Sequence, residues 1–159
     1  MSIAPSSFPT DREACARIMA ASDPWLTLGI GFERALDTVS LPDRELYVAS
    51  IDGVVAGFAL VSFQGVLSGY LQTIGVASAF RGRGVGALLL DAVERRVFRE
   101  KPNVFLFVSS FNSGARRFYA AHGYETIGEV KDFLVEGHGE WLMRKTRGPL
   151  LTWTPPDPT

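Results

Sequence analysis

Two spacings of hydrophobic residues alternate along the chain and predict its secondary structure. β-branched and aromatic runs predict strands, and apolar residues every three or four positions predict helices. The predicted strands span residues 3–8, 47–51, 54–61, 69–76, 104–108, 124–131 and 140–145. Four helices are predicted. The first begins near Thr10 and ends near Ser22, and the other three span residues 28–36, 85–97 and 113–121.

Local signals sharpen three of these predictions. Thr10 and Glu13 have the spacing of a capping box, which predicts the start of the first helix. Asp52 and Gly53 separate two strands by two residues that favour positive φ, which predicts a tight hairpin. The uninterrupted apolar run at residues 104–108 is typical of a strand that is covered on both faces.

The order of elements is therefore β-α-α-β-β-β-α-β-α-β-β. Strands that alternate in this way with helices predict an α/β protein in which helices cover the faces of the sheet. The sheet is predicted to be mixed, which is a feature of α+β proteins. A chain of 159 residues is long enough for one domain with a hydrophobic core. We predict one domain over residues 1–148, followed by a flexible tail at 149–159 that is rich in proline.

Composition narrows the classes of partner. Hydrophobic residues make up 47% of the chain and charged residues 21%, with a net charge of −1, which predicts neither nucleic acid nor membrane as a partner. Because no apolar segment is long enough to span a bilayer and no signal peptide is recognisable, we expect a cytoplasmic protein. Cys15 is the only cysteine, so the sequence excludes an intrachain disulfide and a Cys-rich metal site, and predicts a buried structural thiol. We predict no metal cofactor.

A glycine-rich loop, Arg81-Gly82-Arg83-Gly84-Val85-Gly86, joins a predicted strand to the longest predicted helix. Alternate glycines at the start of a helix let backbone N–H groups approach an anion, and the two arginines add positive charge. The loop lacks the Gly-Lys-Ser/Thr of a Walker loop, and its glycine spacing differs from the dinucleotide-binding fingerprint. On the glycines alone, a tight turn without a ligand is an equally good interpretation.

A second motif follows the buried strand. It consists of Asn112, Ala115, the aromatic pair Phe118-Tyr119 and, after the helix, Gly123-Tyr124. Together with Arg81-x-x-Gly84-x-Gly86, this pattern closely resembles the GNAT superfamily of acyl-CoA-dependent N-acyltransferases. The predicted order of elements is also the order of that family, and the two motifs occupy the region between Gln72 and Tyr124.

The resemblance implies a site for acetyl-CoA. It implies that backbone N–H groups of the glycine loop and of the first turn of the helix bind the pyrophosphate. The residues that supply these groups are Arg81, Gly82, Arg83, Gly84, Val85, Gly86 and Ala87. It also implies that the backbone of Ile74, Gly75 and Val76 pairs with the pantetheine arm as an extra strand would, and polarises the thioester carbonyl. Asn112 would bind the pantetheine, or cap the following helix, or both.

The resemblance also assigns the acid of the reaction. Tyr119 would donate a proton to the thiolate of coenzyme A. The alternative for Tyr119 is an aromatic side chain packed in the core, which is the role that we expect for Phe118. Members of this family often carry a glutamate on the fourth strand as general base, but this sequence has Gln72 there. We therefore predict that Gln72, Tyr70 or backbone carbonyls order a water chain, with Glu33 as a more distant base or simply a solvated surface charge.

The predicted reaction is direct transfer of an acetyl group to a primary amine within a ternary complex. We expect the walls of the acceptor pocket to include Trp25, Phe32, Glu33 and Phe133, although each aromatic residue is as typical of a core. The alternatives are an acyl-CoA-binding or sensing module without catalysis, and a protein that binds nucleotide phosphates. The sequence leaves open the identity of the amine, the acyl chain, and whether the protein is a monomer or a homodimer.

Overall fold

Seven strands form one sheet in the computed structural model, which describes residues 1–158. The spatial order is β1-β2-β3-β4-β5-β7-β6. The strands are β1 (Ser2–Pro5), β2 (Arg44–Ile51), β3 (Val54–Ser62), β4 (Tyr70–Val76), β5 (Asn103–Ser109), β6 (Glu125–Val130) and β7 (Glu140–Thr146). The helices are α1 (Pro9–Ala20), α2 (Phe32–Val39), α3 (Val85–Val97) and α4 (Ser113–Ala121), with a short 3-10 helix at Ser78–Phe80 that the sequence analysis did not predict.

The sheet is mixed, which confirms the predicted fold class and order of elements. β4 and β5 run parallel, whereas the other neighbouring pairs formed by the described strands are antiparallel. β7 lies between β5 and β6, so the last strand in sequence is not at the edge of the sheet. This insertion brings residues at the start of β7 beside the end of β5.

Hydrophobic clusters cover both faces of the sheet. Leu89 and Val93 of α3 pack with Leu106 and Met143 on one face, and all four are at most 1% exposed. On the other face, α1 and α2 cover Phe58 and Leu60 of β3. Complete burial of a side chain of this size contributes about 1.5–3 kcal/mol, so helices on both sides stabilise the sheet.

Cys15 lies in the second of these clusters and is 0% exposed. Burial raises the pKa of its thiol to about 12, and the nearby Asp11 adds to the shift. The prediction of a buried structural thiol is confirmed.

The hairpin between β2 and β3 is also as predicted. Asp52 has φ of +51° and Gly53 has φ of +78°. Two successive positive φ values give a turn whose twist matches that of the flanking strands. The turn therefore fixes the start of the register that pairs Ile51 with Val54.

The first helix begins differently from the prediction. β1 ends at Pro5 rather than at residue 8, and the N-cap of α1 is Phe8, which makes no side-chain capping bond. The predicted capping box of Thr10 and Glu13 is wrong, because Thr10 is already inside the helix. Pro9 supplies the start of the helix instead, since its ring fixes a helical φ and it has no N–H to satisfy.

The second helix begins four residues later and ends three residues later than predicted, at Phe32–Val39 instead of 28–36. Gly29 has φ of +73° and Gly31 is the N-cap in an extended conformation. Both conformations interrupt a helix, so the segment before Gly31 forms turns. The apolar spacing at residues 28–31 is therefore part of a loop.

The predicted bounds of α3 are confirmed. Leu88 of this helix is 41% exposed. Glu94, on the same helix, has a side chain only 13% exposed. Its carboxylate accepts from Lys145 Nζ at 2.7 Å and from Tyr124 Oη at 3.1 Å, so these contacts link α3 to β7 and to the start of β6.

After Thr146, the described part of the chain contains no further helix or strand through residue 158. Within residues 1–158, no helix combines the length and apolar character that crossing a membrane requires.

Candidate active site

A gap between two parallel strands forms the centre of the site. β4 and β5 pair at only two positions, Tyr70 with Phe105 and Leu71 with Leu106. Beyond these pairs, towards the carboxyl ends of both strands, lies a cavity of about 270 Å³. Residues 70–74 of β4 and 107–109 of β5 line it.

A β-bulge at Gln72 accompanies this gap. Leu71 lies opposite Val61 and Thr73 lies opposite Leu60, so Gln72 is an extra residue in β4 relative to β3. Bulges bend a strand and redirect its side chains, often next to functional sites. Gln72 lines the cavity, and its Oε1 accepts a hydrogen bond from Arg44 Nε at 2.8 Å.

Aromatic side chains form much of the cavity wall. The rings of Phe107 and Phe133 stack with centroids 5.0 Å apart, and Tyr70 meets Phe107 edge-on at 6.0 Å. Trp25 closes another side and is 8% exposed. Burial raises the pKa of the Tyr70 hydroxyl to about 12, and the negative charge of Glu140 adds to the shift.

The structure brings two of the four predicted acceptor residues to this cavity. Trp25 and Phe133 line it, whereas Phe32 and Glu33 lie outside its lining. Phe32 packs against the α1–α2 cluster, with the Arg17 guanidinium 5.6 Å from the centroid of its ring. Glu33 is exposed in the first turn of α2, which starts later in the chain than predicted.

Tyr119 reaches the cavity from α4 and is 6% exposed. Its ring meets Phe118 and Tyr124 edge-on at 5.2 and 5.6 Å. Burial raises the pKa of the Tyr119 hydroxyl above its ordinary value, so this phenol keeps its proton at neutral pH. Phe118 packs against the core cluster, as predicted.

Glu140, which was not predicted as a site residue, is 2% exposed and lines the same cavity. It is the first residue of β7 and lies opposite Ser109 of β5. Ser109 Oγ donates to Glu140 Oε1 at 2.7 Å. Burial raises the pKa of the Glu140 carboxyl, and the Ser109 hydrogen bond and the nearby His138 partly offset this shift.

One sequence signal marked Glu140: a charged residue directly before the apolar run Trp141-Leu142-Met143. In isolation, that signal fits the exposed end of a strand equally well. Only the position of β7 beside β5 makes the carboxylate part of the cavity.

Glu140 and Tyr119 approach the cavity from opposite faces of the sheet. Leu106 and Val108 of β5 pack in the core cluster that contains Tyr119. Since side chains alternate along a strand, Phe107 and Ser109 point to the other face, and so does Glu140 opposite Ser109. The gap between β4 and β5 therefore connects the two faces.

A second cavity of about 540 Å³ adjoins the first, and its lining shares Trp25, Ile74 and Asn112 with it. It lies where α1 ends, β4 ends and α4 begins. Five of the predicted cofactor-binding residues line it, namely Ile74, Gly75, Val76, Arg81 and Asn112. Of the remainder, Tyr119 lines the smaller cavity, and Gly82, Arg83, Gly84, Val85, Gly86 and Ala87 follow Arg81 into the first turn of α3.

The glycine loop leaves the start of α3 uncapped by side chains. Gly82 and Gly84 have φ of +71° and +78°, and Gly84 is the N-cap. The first helical bond runs from Leu88 N to Gly84 O, so the N–H groups of Val85, Gly86 and Ala87 have no partner within the helix. These donors and the helix dipole attract an anion.

Asn112 is the N-cap of α4, which confirms one of the two roles considered for it. Its Oδ1 accepts from Ala115 N at 3.2 Å. Arg83 lies over the Phe80 ring, with its guanidinium 5.4 Å from the centroid.

Comparison with known proteins agrees with this geometry. The model of a family described as the acetyltransferase (GNAT) family matches residues 12–124. The chain is 30% identical to the N-alpha-acetyltransferase RimI of Mycobacterium tuberculosis, over 87% of this chain and 88% of that protein. It is 29% identical to an uncharacterised N-acetyltransferase of Chlorobaculum tepidum, over 74% of this chain and 71% of the relative.

Among solved structures, an aminoglycoside 6′-N-acetyltransferase complexed with coenzyme A has a similar fold. The TM-score is 0.76 at 19% sequence identity, and the alignment covers 94% of this chain and 98% of that one. At this identity, the likeness concerns the fold alone.

Proposed function

The chain belongs to the GNAT family of acetyltransferases and is an acyltransferase, and on that basis we propose that it transfers acetyl from acetyl-CoA to a primary amine. The transfer is direct, within a ternary complex. The observation that carries the proposal is the cavity between β4 and β5, which holds Tyr119 and adjoins the larger cavity beside the glycine loop.

The residues at the larger cavity fit coenzyme A. The N–H groups of Val85, Gly86 and Ala87 have no helical partner, and Gly82 and Gly84 present no side chain that would obstruct a pyrophosphate. Loop backbone N–H groups and the charges of Arg81 and Arg83 add to this anion site. A family neighbour that was solved with coenzyme A supports the assignment.

The pantetheine arm lies in the gap between the two strands. In this proposal the backbone of Ile74, Gly75 and Val76 pairs with it, and the Asn112 amide binds it from the other side of the larger cavity. A backbone N–H there stabilises the charge that develops on the thioester oxygen. This arrangement directs the acetyl group into the smaller cavity.

Tyr119 acts as the general acid. The amine nitrogen attacks the thioester carbon, the C–S bond breaks, and the sulfur takes the proton of the Tyr119 hydroxyl, which is restored by a proton from the nitrogen. Burial raises the pKa of Tyr119, so the hydroxyl carries its proton at neutral pH. Gln72, at the bulge, orders water beside the acceptor through the part of its amide that Arg44 does not occupy.

The acceptor lies against Trp25 and Phe133, on the face of the sheet away from Tyr119. Relatives whose names specify an acceptor position act on amino groups, one on the α-amino group and one on an aminoglycoside. We therefore propose a primary amine, borne by a small molecule or a peptide.

Two measurements test the proposal. Coenzyme A is expected to raise the melting temperature more than ATP does, because a ligand that binds only the native state stabilises it. Release of free coenzyme A is then followed with alkylamines, aminoglycosides and short peptides as acceptors.

Tyr119→Phe is expected to lower kcat by about 10²–10⁴-fold while the thermal shift by coenzyme A persists. Tyr47→Phe, in β2 and outside both cavities, is the matched control. Binding of coenzyme A without turnover of any acceptor would instead favour a module that binds acyl-CoA without catalysis. Stabilisation by ATP alone would favour a protein that binds nucleotide phosphates.

A further inference from the structure

Glu140 is a buried carboxylate that lacks a cation. Within residues 1–158 it forms no ion pair, and one hydrogen bond, from Ser109, reaches its Oε1. Buried carboxylates in proteins are normally paired with a cation or hydrogen-bonded at both oxygens. The cavity that Glu140 lines is therefore where a positively charged group would be favourable.

We propose that Glu140 is the catalytic base, which binds the ammonium group of the acceptor and removes its proton before acetyl transfer. This assignment rests on the proposed function, because it concerns the amine that the acyltransferase uses. The juxtaposition that carries it is a carboxylate and a phenol, Glu140 and Tyr119, lining one cavity from opposite faces of the sheet.

The acceptor nitrogen loses two protons during the transfer. The acceptor R–NH₃⁺ gives one proton to the Glu140 carboxylate, and the resulting R–NH₂ forms the C–N bond at the thioester carbon. When the C–S bond breaks, Tyr119 protonates the sulfur, and the nitrogen loses its second proton to restore Tyr119. Glu140 then releases its proton to solvent, which leaves an amide, free coenzyme A and one proton.

The other carboxylates near the cavity are less suited to this step. Asp23 also lines it but is exposed, and its Oδ1 already accepts from Thr27 N at 3.1 Å and Thr27 Oγ1 at 2.7 Å. Glu33 lies outside the lining. Glu140 is thus the carboxylate that a substrate in the cavity can both reach and desolvate.

Several ionisable groups lie around Glu140, and His138 is the one whose charge acts on it. Tyr70 on β4 lies close enough for the Glu140 charge to raise its pKa, and Arg44 on β2 acts on Tyr70 in the opposite direction. His138, two residues earlier in the chain, favours the carboxylate charge. Tyr119 lines the same cavity from α4, and Glu129 of β6 lies on the strand paired with β7.

Glu140→Gln tests the assignment, because the amide keeps the shape and can still accept from Ser109. With the best acceptor amine from the panel, we expect kcat/KM near neutral pH to fall by about 10²–10⁴-fold. The difference in kcat/KM between the variant and the wild type is expected to shrink as the pH approaches the pKa of the acceptor amine in solution, because the acceptor then arrives deprotonated. Ser109→Ala is expected to shift the acid limb of the wild-type pH profile upward, since it removes a bond that stabilises the carboxylate.

Glu129→Gln, an exposed carboxylate exchange on β6, is the control and is expected to keep the wild-type profile. Coenzyme A binding by thermal shift is expected to be the same in all three variants and the wild type. A Glu140→Gln protein with wild-type rate and pH profile would overturn the assignment and leave the water chain at Gln72 as the route for the proton.

Failure of the proposed function gives a different result, namely coenzyme A binding without acetylation of any amine. In that case hydrolysis of acetyl-CoA without an acceptor decides the role of Glu140, since water also needs a base. Hydrolysis above the buffer rate that Glu140→Gln abolishes supports the base, and equal rates in the wild type and variant overturn it. Wild-type hydrolysis no faster than buffer overturns it as well.

Discussion

Arg81 Nη2 donates to Ser22 Oγ at 3.1 Å, which joins the first residue of the glycine loop to the segment after α1. The same guanidinium donates from Nε to Val76 O at 3.3 Å, at the end of β4. Ser22 is 6% exposed, and its hydroxyl donates onward to Ile18 O at 2.7 Å. Arg81 thus connects two walls of the larger cavity.

Replacing Arg81 is therefore expected to affect stability as well as binding. Arg81→Ala removes two hydrogen bonds from a charged donor and is expected to lower the free energy of unfolding by about 1–2 kcal/mol. Arg83→Ala, whose guanidinium only covers the Phe80 ring, is expected to cost less than about 0.5 kcal/mol. Urea denaturation measures both, and equal losses would contradict a connecting role for Arg81.

The proposed anion site can be tested at Gly84, because Gly53 has the same positive φ but lies outside the glycine loop. Gly84 and Gly53 both have φ of +78°, and a Cβ at either would meet nothing within 4 Å. Alanine at such a φ costs about 1–2 kcal/mol, so both variants are expected to lose similar stability. Only Gly84→Ala is expected to weaken coenzyme A binding by calorimetry, and an equal loss of affinity in Gly53→Ala would show that general destabilisation is the cause.

Two substitutions of Asn112 distinguish its role as a helix cap from its proposed role in binding coenzyme A. Asn112→Ala removes the N-cap of α4 and is expected to cost about 1 kcal/mol, together with affinity for coenzyme A. Asn112→Ser keeps a good cap and is expected to unfold nearly like the wild type, yet to bind coenzyme A more weakly. If serine restores affinity as well as stability, the Asn112 amide serves only the helix.

The four tyrosines predict how stability depends on alkaline pH. Burial raises the pKa of Tyr47 and Tyr70 to about 12, and raises those of Tyr119 and Tyr124 above the ordinary range. Unfolded tyrosines ionise near pH ~10, so above that pH the unfolded state loses protons that the folded state retains. The stabilisation is complete below pH ~10 and is lost as the pH rises towards the folded values.

We therefore expect the free energy of unfolding to fall above pH ~10, with phenolate absorbance rising only as the protein unfolds. Tyr47→Phe removes one of the four groups and is expected to make the fall less steep. A phenol that titrates near pH ~10 in the folded protein would contradict the burial of these hydroxyls.

The sequence identified those elements that local patterns determine. The hairpin at Asp52-Gly53, the helix after the glycine loop and the cap at Asn112 each follow from neighbouring residues. The start of α1 was predicted incorrectly, because Pro9 rather than the Thr10–Glu13 pair begins the helix. The bounds of α2 were also missed, since the apolar spacing near Leu28 outweighed two glycines that interrupt the helix.

The candidate site depended more on contacts between distant residues. Tyr119 and Asn112 could be selected from the motif, but Glu140 lies beside Ser109 only because β7 inserts between β5 and β6. No local pattern encodes that insertion. The bulge at Gln72 likewise depends on the register between β3 and β4.

The two-position pairing of β4 with β5 makes the middle of the sheet a weak seam. Backbone hydrogen bonds are few there, and α3, which contacts strands on both sides, is the principal element that bridges the halves. Local opening has its lowest free energy where such bonds are sparse. We expect amide hydrogen exchange to be fast along the seam in the free protein, and a ligand in the gap to make the two halves unfold as one cooperative unit.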